Sequence, residues 1–205
     1  MPAPWPMILI ATTNPGKIRE ISAGMEGLPV TWRTLADIAP MPEPDETGET
    51  FGENARLKAC AYAAGSGLPT VAEDSGLAID VLGGRPGVLS ARYPGATYAD
   101  KFAGLYAELS EFPRPWLAHF VAALAFAVPN ETAPSVLYEC QGVVDGEIVP
   151  SPRGSNGFGY DPIFAYPPEG RTGGELSDDD KLAVSHRGRA FRQFRKWLED
   201  AAVDR

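Results

Sequence analysis

The chain has 205 residues, 44% hydrophobic and 22% charged, with a formal charge of -9. That length suits one large domain or two small lobes, and burial of about 70% of the unfolded surface makes disulfides or a structural metal unnecessary. The acidic excess excludes a nucleic-acid backbone or an acidic membrane as partner, and the two separate cysteines, Cys60 and Cys140, form no disulfide framework or metal cluster, which suits a reducing cytoplasm.

Met1 to Pro6 carries no basic side chain, and the apolar run after it, Met7 to Ala11, is too short for a signal segment or a membrane span. This run reads as a strand. It leads through Thr12-Thr13-Asn14-Pro15-Gly16-Lys17 into an amphipathic helix, Pro15 to Met25. Asn14 is a favoured N-cap and Pro15 suits the first helical position. The unpaired amides and the macrodipole at this end attract an anion, and Lys17 adds a full positive charge beside them. A Walker A loop is excluded, because it needs glycine where Ala11 stands and serine or threonine where Ile18 stands. An ordinary turn followed by a solvent-facing lysine accounts for this segment equally well.

Thr34 to Ala55 holds six carboxylates, Glu46 among them, and no cation. A helix then spans Phe51 to Ala64, opened by the capping box Thr50/Glu53 and closed at Gly65. Asn54 and Lys58, four apart, share one face of it. Strands follow at Thr70 to Ala72 and Leu77 to Leu82. Between them Glu73 and Asp74 precede Ser75-Gly76, where a glycine could admit a ligand. Adjacent carboxylates there suit magnesium, which keeps several waters and takes one or two carboxylates plus phosphate. Strand alternation sends Glu73 and Asp74 to opposite faces, with Asp74 as the inward group; a surface Glu-Asp pair is the bland alternative.

A helix at Tyr98 to Leu109 precedes strands at Phe120 to Val128, Val136 to Tyr138 and Gln141 to Val149, the last folded back at Asp145-Gly146 as a hairpin. His119, in an apolar run, is assigned to packing. Gly154 to Pro162 is a glycine-spaced loop in which Phe158 offers a ring face for a base, although core aromatics in a turn fit the composition as well. The last helix, Arg187 to Ala202, places Phe191, Phe194, Leu198 and Ala201 on one face, and Ser185 to Lys196 carries five basic side chains and no acid. Strands alternating with helices make this an α/β protein with a mixed sheet.

In order along nearly the whole chain, T-T-N-P-G-K, E-T-G-E-T-F-G-E-N-A-R-L-K-A, A-E-D-S-G-L-A-I-D-V-L-G-G-R-P-G-V-L-S-A-R-Y, G-F-G-Y-D-P-I-F and the Lys181 to Ala190 stretch resemble the inosine triphosphate pyrophosphatase family. The resemblance implies one domain over 1-205: a long mixed twisted sheet with flanking helices, forming two lobes around a central nucleotide-binding cleft. It also implies a homodimer and Mg-dependent hydrolysis of ITP, dITP and XTP to the monophosphate and pyrophosphate. By position, Thr12, Thr13, Asn14, Pro15, Gly16 and Lys17 match the triphosphate corner, with Lys58 and Ser75 lining the same cleft. Glu46 and Asp74 match the metal site, Asp74 also as the base. Phe158, Gly159, Tyr160, Asp161, Lys181, His186 and Arg187 match the nucleotide-binding set, in which Lys181 neutralises phosphate while His186 and Arg187 donate to the base's 6-oxygen. Glu73 departs from the aspartate common in bacterial relatives. Two alternatives are a pyrophosphatase for other modified nucleotides and a non-catalytic nucleotide sensor.

Overall fold

Met7–Ile10 (β1) buries three of its four residues, as a strand covered on both faces must. In the computed structural model, which describes residues 4–168 and 170–203, β1 pairs in parallel with Thr31–Thr34 (β2) and with Thr70–Ile79 (β3). Half of the Met1 to Pro6 segment therefore lies outside the described residues, as does Glu169 within the Pro167 to Gly174 loop. The remaining strands are Trp116–Val128 (β4), Ser135–Ile148 (β5), Phe164–Tyr166 (β6) and Arg171–Thr172 (β7), and the sheet order is β2-β1-β3-β4-β5-β6-β7. Because β5-β6 and β6-β7 are antiparallel, the sheet is mixed.

The helices are Pro15–Gly24 (α1), Phe51–Ser66 (α2), Tyr98–Leu109 (α3), Asp178–Val184 (α4) and His186–Val203 (α5). The capping box on α2 is present in full, with Thr50 accepting from the Glu53 amide and Glu53 accepting from Thr50. α2 runs past Gly65 and stops at Gly67, whose φ of +68° is the left-handed C-cap that favours glycine.

Three expected breaks are absent, the first between Tyr138 and Gln141, which β5 crosses without interruption. β3 is continuous through Glu73-Asp74-Ser75-Gly76, and β5 is continuous through Asp145-Gly146, so the proposed hairpin does not form. Both glycines serve close packing inside a strand. A Cβ at Gly146 would lie 2.3 Å from the Ala165 carbonyl oxygen and 2.6 Å from the Phe164 ring. A Cβ at Gly76 would lie 2.3 Å from the Ser90 hydroxyl and 2.7 Å from the Gly87 carbonyl oxygen. The space at Gly76 thus admits Ser90, not a ligand.

The chain divides into two compact units: 1–74 with 122–142 and 187–205, and 75–121 with 143–186. In the first, alanines dominate the buried helix-on-sheet contact: Ala55, Ala59 and Ala63 of α2 cluster with Leu9, Ala72, Ala123, Ala125 and Ala127. Small side chains let the helix backbone settle close to the strands. The second unit has a bulkier core, with Leu77, Ile79, Leu105, Leu109, Phe120, Ile163 and Phe164 among its members. His119 belongs to this unit but not to its core. Alternation along β4 buries Ala118 and Phe120 and turns His119 outward, 38% exposed, where its two ring nitrogens each lie 2.8 Å from a carboxylate, Asp80 on one side and Asp145 on the other.

Candidate active site

The α1 corner folds as its residues dictate. The Asn14 side-chain oxygen accepts the Gly16 and Lys17 amides at 2.8 and 3.3 Å, and the Thr12 hydroxyl accepts the Asn14 amide at 3.2 Å. Thr13, Asn14 and Pro15 are exposed, Gly16 is buried, and Lys17 reaches inward until its ammonium lies 3.5 Å from Glu73. Burial lowers the Lys17 pKa; Glu73 opposes that shift, while Arg187 and Lys58 add to it.

Also in the first unit, Glu73 and Asp74 are both buried, and the alternation of β3 gives them different partners. Glu73 faces Lys17 and the Arg187 guanidinium, whose Nε lies 3.2 and 3.3 Å from its two oxygens. A third acid, Glu20, meets Arg187 at 3.3 Å. Asp74 faces α2. Lys58 donates to Asp74 at 2.9 Å and to Glu46 at 2.8 Å, and the Asn54 amide nitrogen reaches the other Asp74 oxygen at 3.4 Å. Burial works against the Lys58 charge, yet Asp74 and Glu46 together outweigh it and raise its pKa. Two carboxylates from separate segments thus converge on one cation. Glu46, Lys58 and Asp74 come together as the sequence predicts. Arg187 is held by two carboxylates, Glu73 and Glu20.

In the second unit Ser75 is half-buried, directly after Asp74 on β3. The 157–161 loop is built around the carboxylate of Asp161, itself 2% exposed, which accepts the Phe158 amide at 2.7 Å and pairs with Lys181 at 2.5 Å. Gly157 and Gly173 make room for it: a Cβ on either would fall within 2.6 Å of an Asp161 oxygen, and Gly157 has φ +72°. Both glycines admit the Asp161 carboxylate. Lys181, 2% exposed, also sits 4.6 Å over the Phe158 ring. Tyr160 is buried, donates to the Ser90 carbonyl at 2.7 Å and packs edge-on against Tyr98, while Gly159 takes φ +67°. Tyr160 and Asp161 therefore shape the loop from within. His186 is buried and stacked on Phe120 with ring centroids 4.5 Å apart.

Residues outside the predicted set take part as well. Glu20 stands one turn after Lys17 on α1, and that spacing is its only trace in the sequence. Ser90 and Gly173 carry no local signal, whereas Asn54 shares the Lys58 face of α2.

A strand-to-helix corner that carries Lys17, beside a buried carboxylate-lysine cluster in an α/β sheet, suits a protein that handles a small polyanion. More particularly, the chain belongs to the Ham1 family, whose model matches residues 8–197. It is 46% identical to a protein of Syntrophobacter fumaroxidans named dITP/XTP pyrophosphatase, over 97% of this chain and 87% of that one. A protein of the same name from Geobacter sulfurreducens is 45% identical over 93% of this chain and 96% of its own length. Among solved structures, a HAM1 protein from Coxiella burnetii superposes with a TM-score of 0.86 at 40% identity, covering 95% of this chain and 98% of that one.

Proposed function

We propose that this chain hydrolyses deaminated purine nucleoside triphosphates, ITP, dITP and XTP, to the monophosphate and pyrophosphate. The observation that carries the reading is the convergence of Glu46 and Asp74 on the Lys58 ammonium, at 2.8 and 2.9 Å. The names of the relatives supply the substrate class.

The same convergence bears on magnesium. Among the described residues no three acidic, histidine or cysteine side chains gather as a cation cage. Magnesium does not need one, since it takes one or two carboxylates and completes its shell with water and phosphate. Two carboxylates that already meet a single cation fit that demand, and Glu46 and Asp74 would hold the ion. When bound, magnesium would neutralise charge on the triphosphate.

The chain's own groups account for the rest. Asp74, with one oxygen on Lys58, would align the attacking water and accept its proton. Lys58 remains protonated at neutral pH and would counter the charge of the departing pyrophosphate. The α1 corner, with its helix N-terminus and Lys17, would hold outer phosphates. Phosphoryl chemistry of this kind depends on positioning and electrostatics more than on a protein nucleophile. With Arg187 engaged by Glu73 and Glu20, a donor to the base's 6-oxygen would come from His186.

Incubation with Mg and a panel of nucleoside triphosphates, with products resolved by anion exchange, tests the reading. ITP and XTP should turn over well ahead of ATP, whereas binding of ITP without turnover would leave a nucleotide sensor. A homodimer in a reducing cytoplasm completes the proposal, in keeping with the free thiols Cys60 and Cys140; light scattering in solution tests the dimer.

A further inference from the structure

The Asp74 carboxylate and the loop that carries Glu46 meet at one side chain that the proposed chemistry does not yet use. Asn54 stands in the first turn of α2, one turn before Lys58, and is 1% exposed. Its side-chain oxygen accepts the Gly48 amide at 2.8 Å, and its side-chain nitrogen points at Asp74 Oδ2, 3.4 Å away. The orientation of the amide is forced, because a backbone N-H can only donate and a carboxylate can only accept. No other side chain of this size offers both an acceptor and a donor at that separation. Aspartate would keep the acceptor but turn a repelling oxygen toward Asp74, and leucine would lose both.

The loop is fitted to this arrangement. A Cβ on Gly48 would lie 2.6 Å from Glu53 Cβ and 2.7 Å from the Asn54 side-chain oxygen, so the backbone at 48 rests directly on the helix start. Glu46 is two residues earlier and shares Lys58 with Asp74. Asn54 and Lys58 thus form two fixed links, one turn apart on a rigid helix, between the acidic loop and β3.

We infer that Asn54 is a positioning residue: it holds the Glu46 loop against α2 and orients the Asp74 carboxylate, without touching substrate. This rests on the pyrophosphatase reading for its effect on turnover, but not for its effect on the loop. Removing an outer-shell partner of this kind costs about 10-fold to 100-fold in activity.

The test uses the full chain with Asn54→Leu, Asn54→Asp and Gly48→Ala. Amide hydrogen exchange over residues 45–50 is read beside kcat and KM for XTP. Asn54→Leu and Gly48→Ala should speed exchange in that segment by about 10-fold or more while β3 stays protected, as expected when a local hydrogen bond is lost without global opening. Asn54→Asp should keep the Gly48 bond and slow exchange, yet lose kcat by about 10-fold or more because its donor to Asp74 is gone. Wild-type exchange at 45–50 in both Asn54→Leu and Gly48→Ala, or wild-type kcat in Asn54→Asp, overturns the inference. Gly48→Ala acts from the loop side, so it still decides the matter if a change at the buried helix position prevents folding. If the wild-type chain itself fails to turn over XTP, the pyrophosphatase reading fails alone, and the exchange data decide the positioning of the loop.

Discussion

Arg187→Ala separates base reading from internal support. The Arg187 and Glu73 side chains are 8% and 1% exposed, so deleting the guanidinium strands a carboxylate that water cannot reach. Removing one partner of such a buried pair typically costs about 3–5 kcal/mol. Lys17, 3.5 Å from Glu73, still offers partial compensation, which places the expected loss near the lower end, about 3 kcal/mol. For a chain of this size each kcal/mol moves Tm by about 2–4 °C, so Arg187→Ala should melt roughly 6–12 °C lower. Adding Glu73→Gln removes the stranded charge and should restore part of that loss. The assay is thermal melting of the single and double variants, together with kcat/KM for ITP and ATP. The ITP-to-ATP ratio should be unchanged, because the guanidinium already serves two carboxylates. A melting shift below about 3 °C would show that the buried pair gives little support, and a ratio that collapses toward one would return Arg187 to the base.

Asp74→Asn should retain the fold and lose at least about 100-fold in turnover, as when one preorganised electrostatic group is removed; steady-state kinetics with XTP check it, and near-normal turnover would move the base elsewhere. His119 gives a pH dependence. Its hydrogen bond to Asp145 raises its pKa above 6.5 against the opposing effect of burial, with Asp80 adding to the rise. A raised folded pKa contributes stability that is present in full below the unfolded value and fades as pH climbs through the folded value. The Tm gap between wild type and His119→Gln should therefore be larger at pH 5.5 than at pH 9, and an equal gap at both would show that the two aspartates do not act on a charged imidazole.

Legibility in the sequence follows the range of the forces involved. Local chemistry is readable: the Asn14 cap, the Thr50/Glu53 box and the limits of α3 coincide with the residues whose side chains make them. Strand alternation likewise predicts that Glu73 and Asp74 part company, and the structure adds which cations each one meets. What escapes is set by distant chain segments. Gly76 and Gly146 look like turn or ligand glycines until Ser90 and Phe164 are seen pressing on them. Lys181 and Asp161, 20 residues apart, each look available until they are found neutralising one another. The short β2, β6 and β7 contain no run long enough to display a period, and β2 buries neither Thr31 nor Arg33. His119 shows the limit of reading hydrophobicity without phase: its neighbours are core, but the strand turns it outward.

The proposed reaction turns on one step, attack by water on the α-phosphorus of a deaminated purine triphosphate under the control of Asp74. Hydrolysis of XTP in Mg and oxygen-18 water, with mass analysis of both products, tests it most directly. One heavy oxygen should appear in the monophosphate and none in pyrophosphate, since the bond formed is between water oxygen and the α-phosphorus and the bond broken leaves its bridging oxygen with pyrophosphate. Heavy oxygen in pyrophosphate, or diphosphate and orthophosphate as the first products, would contradict it.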